Sequence, residues 1–135
     1  MHWLTIDPGE TTGWALWKGV RLVHADQWPR LEHIDLVDGW LNEPPSLLKV
    51  ANEVLPLGAI VCENWQLYPD VMRTGALDYD ECRTARAIGA YELLARQHNI
   101  KFITQGAAIK GPAEEAGSRE LYLSPQHEMR HANDA

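Results

Sequence analysis

Several things are scarce in these 135 residues, and each scarcity removes a class of protein. No apolar run approaches the roughly 18 residues that a membrane-crossing helix needs, and the N-terminus lacks the basic stretch and apolar core of a secretion signal. A cytosolic (cytoplasmic) protein without membrane association is the expectation. Cysteine is limited to Cys62 and Cys82, at no metal-ligand spacing and in apolar or helical contexts, which predicts two reduced thiols and not a disulfide framework. Positive charge is short as well: 12 Lys and Arg against 19 Asp and Glu leave a formal net charge of −7. Phosphate binding is driven mainly by Lys and Arg, so this balance argues against attracting nucleic acid in bulk while leaving room for local basic patches. An acidic excess also suits a metal-dependent nuclease, because its ligands are carboxylates and bound cations offset part of the charge. Repeats and low-complexity tracts are absent, and 45% hydrophobic with 23% charged residues is ordinary for a globular chain. Residues 1–135 are read as a single domain, long enough to bury a real core.

What is present begins with strands. "HWLTID" (2–7), "TGWALWKG" (12–19) and "RLVHADQW" (21–28) are joined by short turns at Pro8-Gly9 and Lys18-Gly19 and read as a three-stranded antiparallel meander. Leu31, Ile34, Val37, Trp40 and Leu41 recur at helical spacing, although "HIDLV" also fits a short strand. Ser46 caps a second helical stretch over Leu47 to Leu55, closed by Pro56 and Gly58. "AIVCENW" (59–65) reads as a buried strand, residues 69–80 as a mobile loop, and Tyr79 to His98 as a long helix. Its apolar stripe is expected at Cys82, Ala85, Ile88, Gly89, Leu93 and Ala95. "IKFIT" (100–104) gives the fifth strand, followed by a Gly-containing loop with Lys110, a short helix near 113–121 and the terminal "HANDA". The chain is α/β.

Two of these strands end on carboxylates that strands disfavour: Asp7 in "LTIDPGETTGW" and Glu63 in "AIVCENW". In a sheet made of a meander, a crossover and a fourth strand, the fourth commonly lies parallel to the first and beside it. Asp7 and Glu63 then become neighbours at the carboxyl ends of parallel strands, where open α/β sheets bind their ligands. Two carboxylates that close repel, and the usual remedy is a divalent cation or a raised pKa. His131 and Asp134, three residues apart, share one face if their segment is helical. Together the four make an oxygen-rich site with one imidazole, suited to Mg²⁺ or Mn²⁺. Two such ions about 3.5–4 Å apart activate water and stabilise the leaving oxygen of a phosphodiester.

"LTIDPGETTGWAL", "AIVCENWQLYP", "ARAIGAYELLARQHNIKFITQGAAIKG" and "RHANDA" together resemble the RuvC-type Holliday junction resolvases of the ribonuclease H-like superfamily, and most of all their phage-encoded branch. That resemblance implies a ribonuclease H-like fold with a five-stranded mixed sheet in the order 3-2-1-4-5 flanked by helices. It implies a homodimer that binds four-way DNA junctions and nicks two strands symmetrically, with Mg²⁺ or Mn²⁺, two ions per site, and water as nucleophile. By motif position Asp7, Glu63, His131 and Asp134 match the metal-binding catalytic residues, with Asp7 bridging the ions. Lys110 matches a basic position near the scissile phosphate. Trp65 and Tyr68 follow the strand-four acid, where an aromatic of this family wedges into the junction, and stacking on a base contributes about 1–3 kcal/mol.

Arg73, Arg83, Arg86, Arg119 and Arg130 are candidate phosphate contacts, a local positive rim on an acidic body. Other classes fit parts of the pattern. "DPGETTG" also resembles the phosphate loop of the actin and sugar-kinase superfamily, but that reading needs a second, duplicated domain. A non-catalytic junction-binding module, or a ribonuclease H-like nuclease acting on other nucleic-acid structures, differs in outcome and not in residues: the first binds without cutting, the second prefers another substrate shape.

Overall fold

The computed structural model describes residues 2–42, 57–64 and 79–106. Among them, strands β1 (His2–Asp7), β2 (Thr11–Lys18), β3 (Arg21–Pro29), β4 (Leu57–Glu63) and β5 (Lys101–Gln105) form one sheet, with helices α1 (Arg30–Asn42) and α2 (Tyr79–Gln97) between them in the chain. The strand order is β3-β2-β1-β4-β5. β1 pairs antiparallel with β2 and β2 with β3, whereas β1–β4 and β4–β5 are parallel. The arrangement is the mixed 3-2-1-4-5 sheet expected from the sequence.

Turn chemistry explains the meander. Gly19 sits in the left-handed region with φ 59°, where a Cβ is penalised, and so reverses the chain between β2 and β3. The ladder slips where Trp17 pairs with Leu22 after Leu16 has paired with His24, an extra residue on β3 that strengthens the local twist. At the end of α2 the Ile100 amide donates to the Ala95 carbonyl at 2.7 Å and the Asn99 amide to Arg96 at 3.2 Å, with Asn99 left-handed at φ 55°. This double bond is the termination that aims the chain back into β5.

Strand alternation divides the sheet into two faces. Leu4, Ile6, Trp14, Leu16, Ile60 and Cys62 point to one, where they meet Val37 and Trp40 of α1 and Ala87, Ile88, Tyr91, Leu94 and Ala95 of α2 in a single buried cluster. On the other, Trp3 stacks on Trp17 with centroids 5.3 Å apart, and the Trp17 indole donates to Thr5 Oγ1 at 3.0 Å.

Each helix keeps part of the stripe that hydrophobic spacing predicts and turns another part outward; on α1 the expected Val37 and Trp40 are buried, and Ile34 and Leu41 pack against the core. "HIDLV" is helical, but α1 buries Arg30, His33, Val37 and Trp40, while Leu31 stays 69% exposed. The inward turn of His33 is offset at one ring nitrogen by a 2.6 Å hydrogen bond between its Nδ1 and the Tyr91 hydroxyl, while the buried Nε2 has no hydrogen-bond partner among the described residues and keeps its share of the penalty for burying an imidazole. On α2 the buried face runs through Ala87, Tyr91 and Leu94, so Cys82, Gly89 and Leu93 of the expected stripe lie outward. Ala85 is half-buried, and Ile88 and Ala95 face inward as expected. Tyr91, the bulkiest fully buried side chain described, sets that rotation. Both thiols are free, Cys62 buried and Cys82 exposed. The expected helix near 46–55 and the helix near 113–121 fall outside the described residues, as does the loop expected over 69–80 except for Tyr79 and Asp80, which already belong to α2.

Candidate active site

Asp7 is the last residue of β1 and Glu63 the last of β4. The parallel register pairs Ile6 with Cys62, so the next residue on each strand is level with the other, across a strand spacing of about 4.8 Å. Because Ile6 and Cys62 face the helices, Asp7 and Glu63 point to the opposite face. Each is half-buried. The rung extends in both directions: Asp7 is opposite Gly13 and Gly13 opposite Gln27, while Glu63 is opposite Gln105. The Asn64 amide donates to the Gln105 carbonyl at 2.7 Å, carrying the β4–β5 ladder one step past Glu63. The result is a row of polar side chains at the carboxyl edge of the parallel strands.

Electrostatics registers the same proximity. The Cys62 thiol is pushed up to about 12, first by burial, then by the Glu63 carboxylate and then by that of Asp7. One thiol feels both charges, so the two acids share one neighbourhood. Carboxylate oxygens at this spacing are the donor chemistry that Mg²⁺ and Mn²⁺ take. Among the described residues no group of three or more His, Cys, Asp and Glu side chains converges at metal-binding range.

The turn after Asp7 is tied down from outside. The Gly9 carbonyl accepts from Arg30 Nε at 2.8 Å and from the Thr12 hydroxyl at 3.3 Å, and the Glu10 carbonyl accepts from the Arg30 amide at 2.9 Å. A Cβ on Gly9 would meet the Thr11 carbonyl oxygen at 3.1 Å, so glycine is favoured by the close approach of the chain to itself. Tyr91 connects this turn to the core: burial raises its phenol and the Cys62 sulfur adds to that, while the neighbouring Thr12 hydroxyl and then the Arg30 charge act in the opposite direction.

Of the predicted phosphate contacts, Arg83 and Arg86 are exposed on α2. They line a groove of about 660 Å³ between α1 and α2, together with Glu10, Arg30, Glu32 and Ala90. Its charge is mixed, three guanidinium groups against two carboxylates. The groove lies on the helical side of the sheet, the carboxylate row on the other. The remaining predicted site residues, His131, Asp134, Lys110, Arg73, Arg119, Arg130, Trp65 and Tyr68, lie outside the described residues.

Arg30 and Gln105 belong to this region without having been singled out from the sequence. Gln105 is visible only through strand register. Arg30 carried a faint signal, since a cation in the first turn of a helix opposes the helix dipole and needs a local reason to be there.

No protein-family model matches the chain, and no curated protein matches it by sequence. Solved structures do. RuvC of T. thermophilus, in complex with a Holliday junction substrate, superposes with a TM-score of 0.60 at 16% identity, covering 100% of this chain and 87% of that one. A second structure of Thermus thermophilus RuvC gives 0.46 at 20% identity, over 79% of this chain and 64% of that one. A PPX-GPPA enzyme of Aquifex aeolicus gives 0.34 at 12% identity, over 78% and 36%. The superposition on RuvC over the whole chain, with the 3-2-1-4-5 sheet, establishes the ribonuclease H-like fold of RuvC for this protein.

Proposed function

We propose that this chain is a divalent-metal-dependent endodeoxyribonuclease that resolves four-way (Holliday) or branched DNA junctions by paired nicks. The observation that carries the reading is the pairing of β1 with β4, which brings Asp7 and Glu63 to adjacent strand ends on one face of a RuvC-like sheet. The RuvC structure of the same fold holds a Holliday junction, which supports junction DNA as the substrate class.

The donor set fits Mg²⁺ or Mn²⁺: two carboxylates at adjacent strand ends on one face of the sheet, with the neighbouring Cys62 thiol buried in the core on the other face. When bound, such ions lower the pKa of water and stabilise charge on the leaving oxygen. Asp7 and Glu63 hold them at the sheet edge, with His131 and Asp134 as the further ligands. Lys110 is the basic group proposed to serve the scissile phosphate. Arg73, Arg83, Arg86, Arg119 and Arg130 contact phosphates, and Trp65 and Tyr68 stack on bases at the branch point.

Paired nicks require two sites, and so a homodimer. The outward face of α2 suits that contact: Leu93 is 53% exposed beside Gly89, where an added Cβ would meet nothing.

The test is incubation of purified protein with a labelled four-way junction, a fork, linear duplex and an RNA–DNA hybrid, in Mg²⁺ and in Mn²⁺. Symmetric nicks selective for the junction are expected. Binding without cutting in either metal identifies a non-catalytic junction-binding module. Preferential cleavage of the hybrid or the linear duplex identifies a nuclease of other specificity.

A further inference from the structure

Asp7 is where the β1 ladder stops. Its last rung faces Gly13 on β2, and the direction of the chain beyond it depends on Pro8, Gly9 and Glu10. We propose that Arg30 is a positioning residue for Asp7, clamping the Pro8–Glu10 turn through the Gly9 and Glu10 carbonyls. The proposal rests on the reading of Asp7 as a catalytic ligand and adds what sets its place.

Two carbonyls, one residue apart, accept from the side chain and the main chain of the same arginine, Gly9 from Nε at 2.8 Å and Glu10 from the backbone amide at 2.9 Å. A single bond leaves a turn free to pivot. Two from one residue fix both its distance and its orientation relative to α1. Arg30 is only 9% exposed, unlike Arg83 and Arg86 on the groove rim, so most of its side chain is packed against its neighbours although it borders the same groove. Its position at the start of α1 runs against the helix dipole, and the two carbonyl bonds are the compensation visible in the structure.

The clamp is itself braced. Thr12 donates to the same Gly9 carbonyl at 3.3 Å, the Thr12 hydroxyl lies close enough to Tyr91 to lower its phenol, and Tyr91 shares its 2.6 Å bond with His33. The turn is thereby tied to α1 at Arg30 and to α2 at Tyr91. Metal-dependent chemistry requires its ligands within about 0.5 Å of the productive geometry. The last residue of a strand, followed by Pro-Gly, does not achieve that alone.

The experiment compares Arg30→Met and Arg30→Lys with the wild-type chain and Asp7→Asn. Four quantities are read: amide hydrogen exchange over residues 9–12, junction Kd, the salt slope of that Kd, and the single-turnover nicking rate at saturating protein. Arg30→Met is expected to accelerate exchange at Gly9–Thr12, leave Kd and salt slope unchanged, and slow nicking about a hundredfold, the scale of loss for a small misplacement. Arg30→Lys keeps the stem, the charge and one donor, and is expected to recover the rate to within about tenfold of wild type. If the Met variant does not fold, the Lys variant decides alone: exchange at Gly9–Thr12 between wild type and fully open, with a matching partial loss of rate, is the supporting result.

Unchanged exchange at the turn overturns the proposal. So does a fall of about one in the salt slope with the rate preserved, which makes Arg30 a phosphate contact. Nicking by Asp7→Asn at the wild-type rate refutes the nuclease role of Asp7 whatever Arg30 does, whereas an unchanged exchange profile refutes only the clamp.

Discussion

Asp7 and Glu63 are half-buried carboxylates on adjacent strand ends, and their removal separates chemistry from binding. Asp7→Asn and Glu63→Gln are each expected to lower nicking by more than about a hundredfold, beyond the loss seen even for outer partners of metal ligands, while junction affinity in a gel-shift assay stays near wild type. Parallel loss of binding and secondary structure means that the residue supports the fold. A second residue-scale prediction concerns His33, fully buried and held at about 4, below its ordinary 6.5, by burial. The folded state therefore prefers the neutral ring, and the unfolded chain binds more protons between those two values. Stability is complete at neutral pH and declines as pH falls from about 6.5 to about 4, by up to about 3 kcal/mol. Urea unfolding at a series of pH values measures it, and His33→Gln is expected to flatten the curve in that window. Asp7 and Glu63 were legible in the sequence because a carboxylate ending an apolar strand is out of place locally. His33 and Arg30 were not, because what justifies their burial is Tyr91 on α2 and Gly9 before β2, partners that appear only once the chain has folded.

At the scale of elements, the strands were read nearly to the residue. Alternation and turn residues act locally, so β1 and β3 begin where expected and Gly19 marks the reversal. Helical faces were harder. Spacing placed Leu31 and Leu93 inward, but a stripe on a helix is offset by whichever large side chain finds a partner, here His33 and Tyr91. The consequence is measurable by denaturant unfolding. Leu31→Gln, at a 69% exposed position, is expected to shift stability by no more than about 0.5 kcal/mol. Ile60→Ala, at a fully buried position in the β4 core, is expected to cost about 2–5 kcal/mol. Equal effects at the two positions contradict the orientation of α1.

For the molecule as a whole, the net charge of −7 and the mixed charge of the groove mean that the proposed junction binding would rest on a few local cations. Its affinity is expected to fall with added salt by a slope of about 0.9 for each phosphate those cations contact. The proposed dimer supplies a sharper prediction: Leu93→Glu, on the outward face of α2, is expected to shift sedimentation from dimer to monomer and to uncouple the paired nicks, with the circular dichroism of the folded chain unchanged and the unfolding midpoint no longer dependent on protein concentration. A monomeric wild-type chain removes that expectation. The sequence points to the proposed dimer only indirectly, through the small-residue stripe Ala85, Ile88, Gly89 and Ala90, because such a stripe packs nearly as well within a subunit as between two.

The parallel junction of β1 with β4 has one more implication. Asp7 belongs to the first strand made and Glu63 to the fourth, so no early stretch of nascent polypeptide holds both. A chain still emerging from the ribosome, or one whose fourth strand has come away, has its acids apart. On the proposed reading, such a chain is not expected to nick DNA until the sheet has closed.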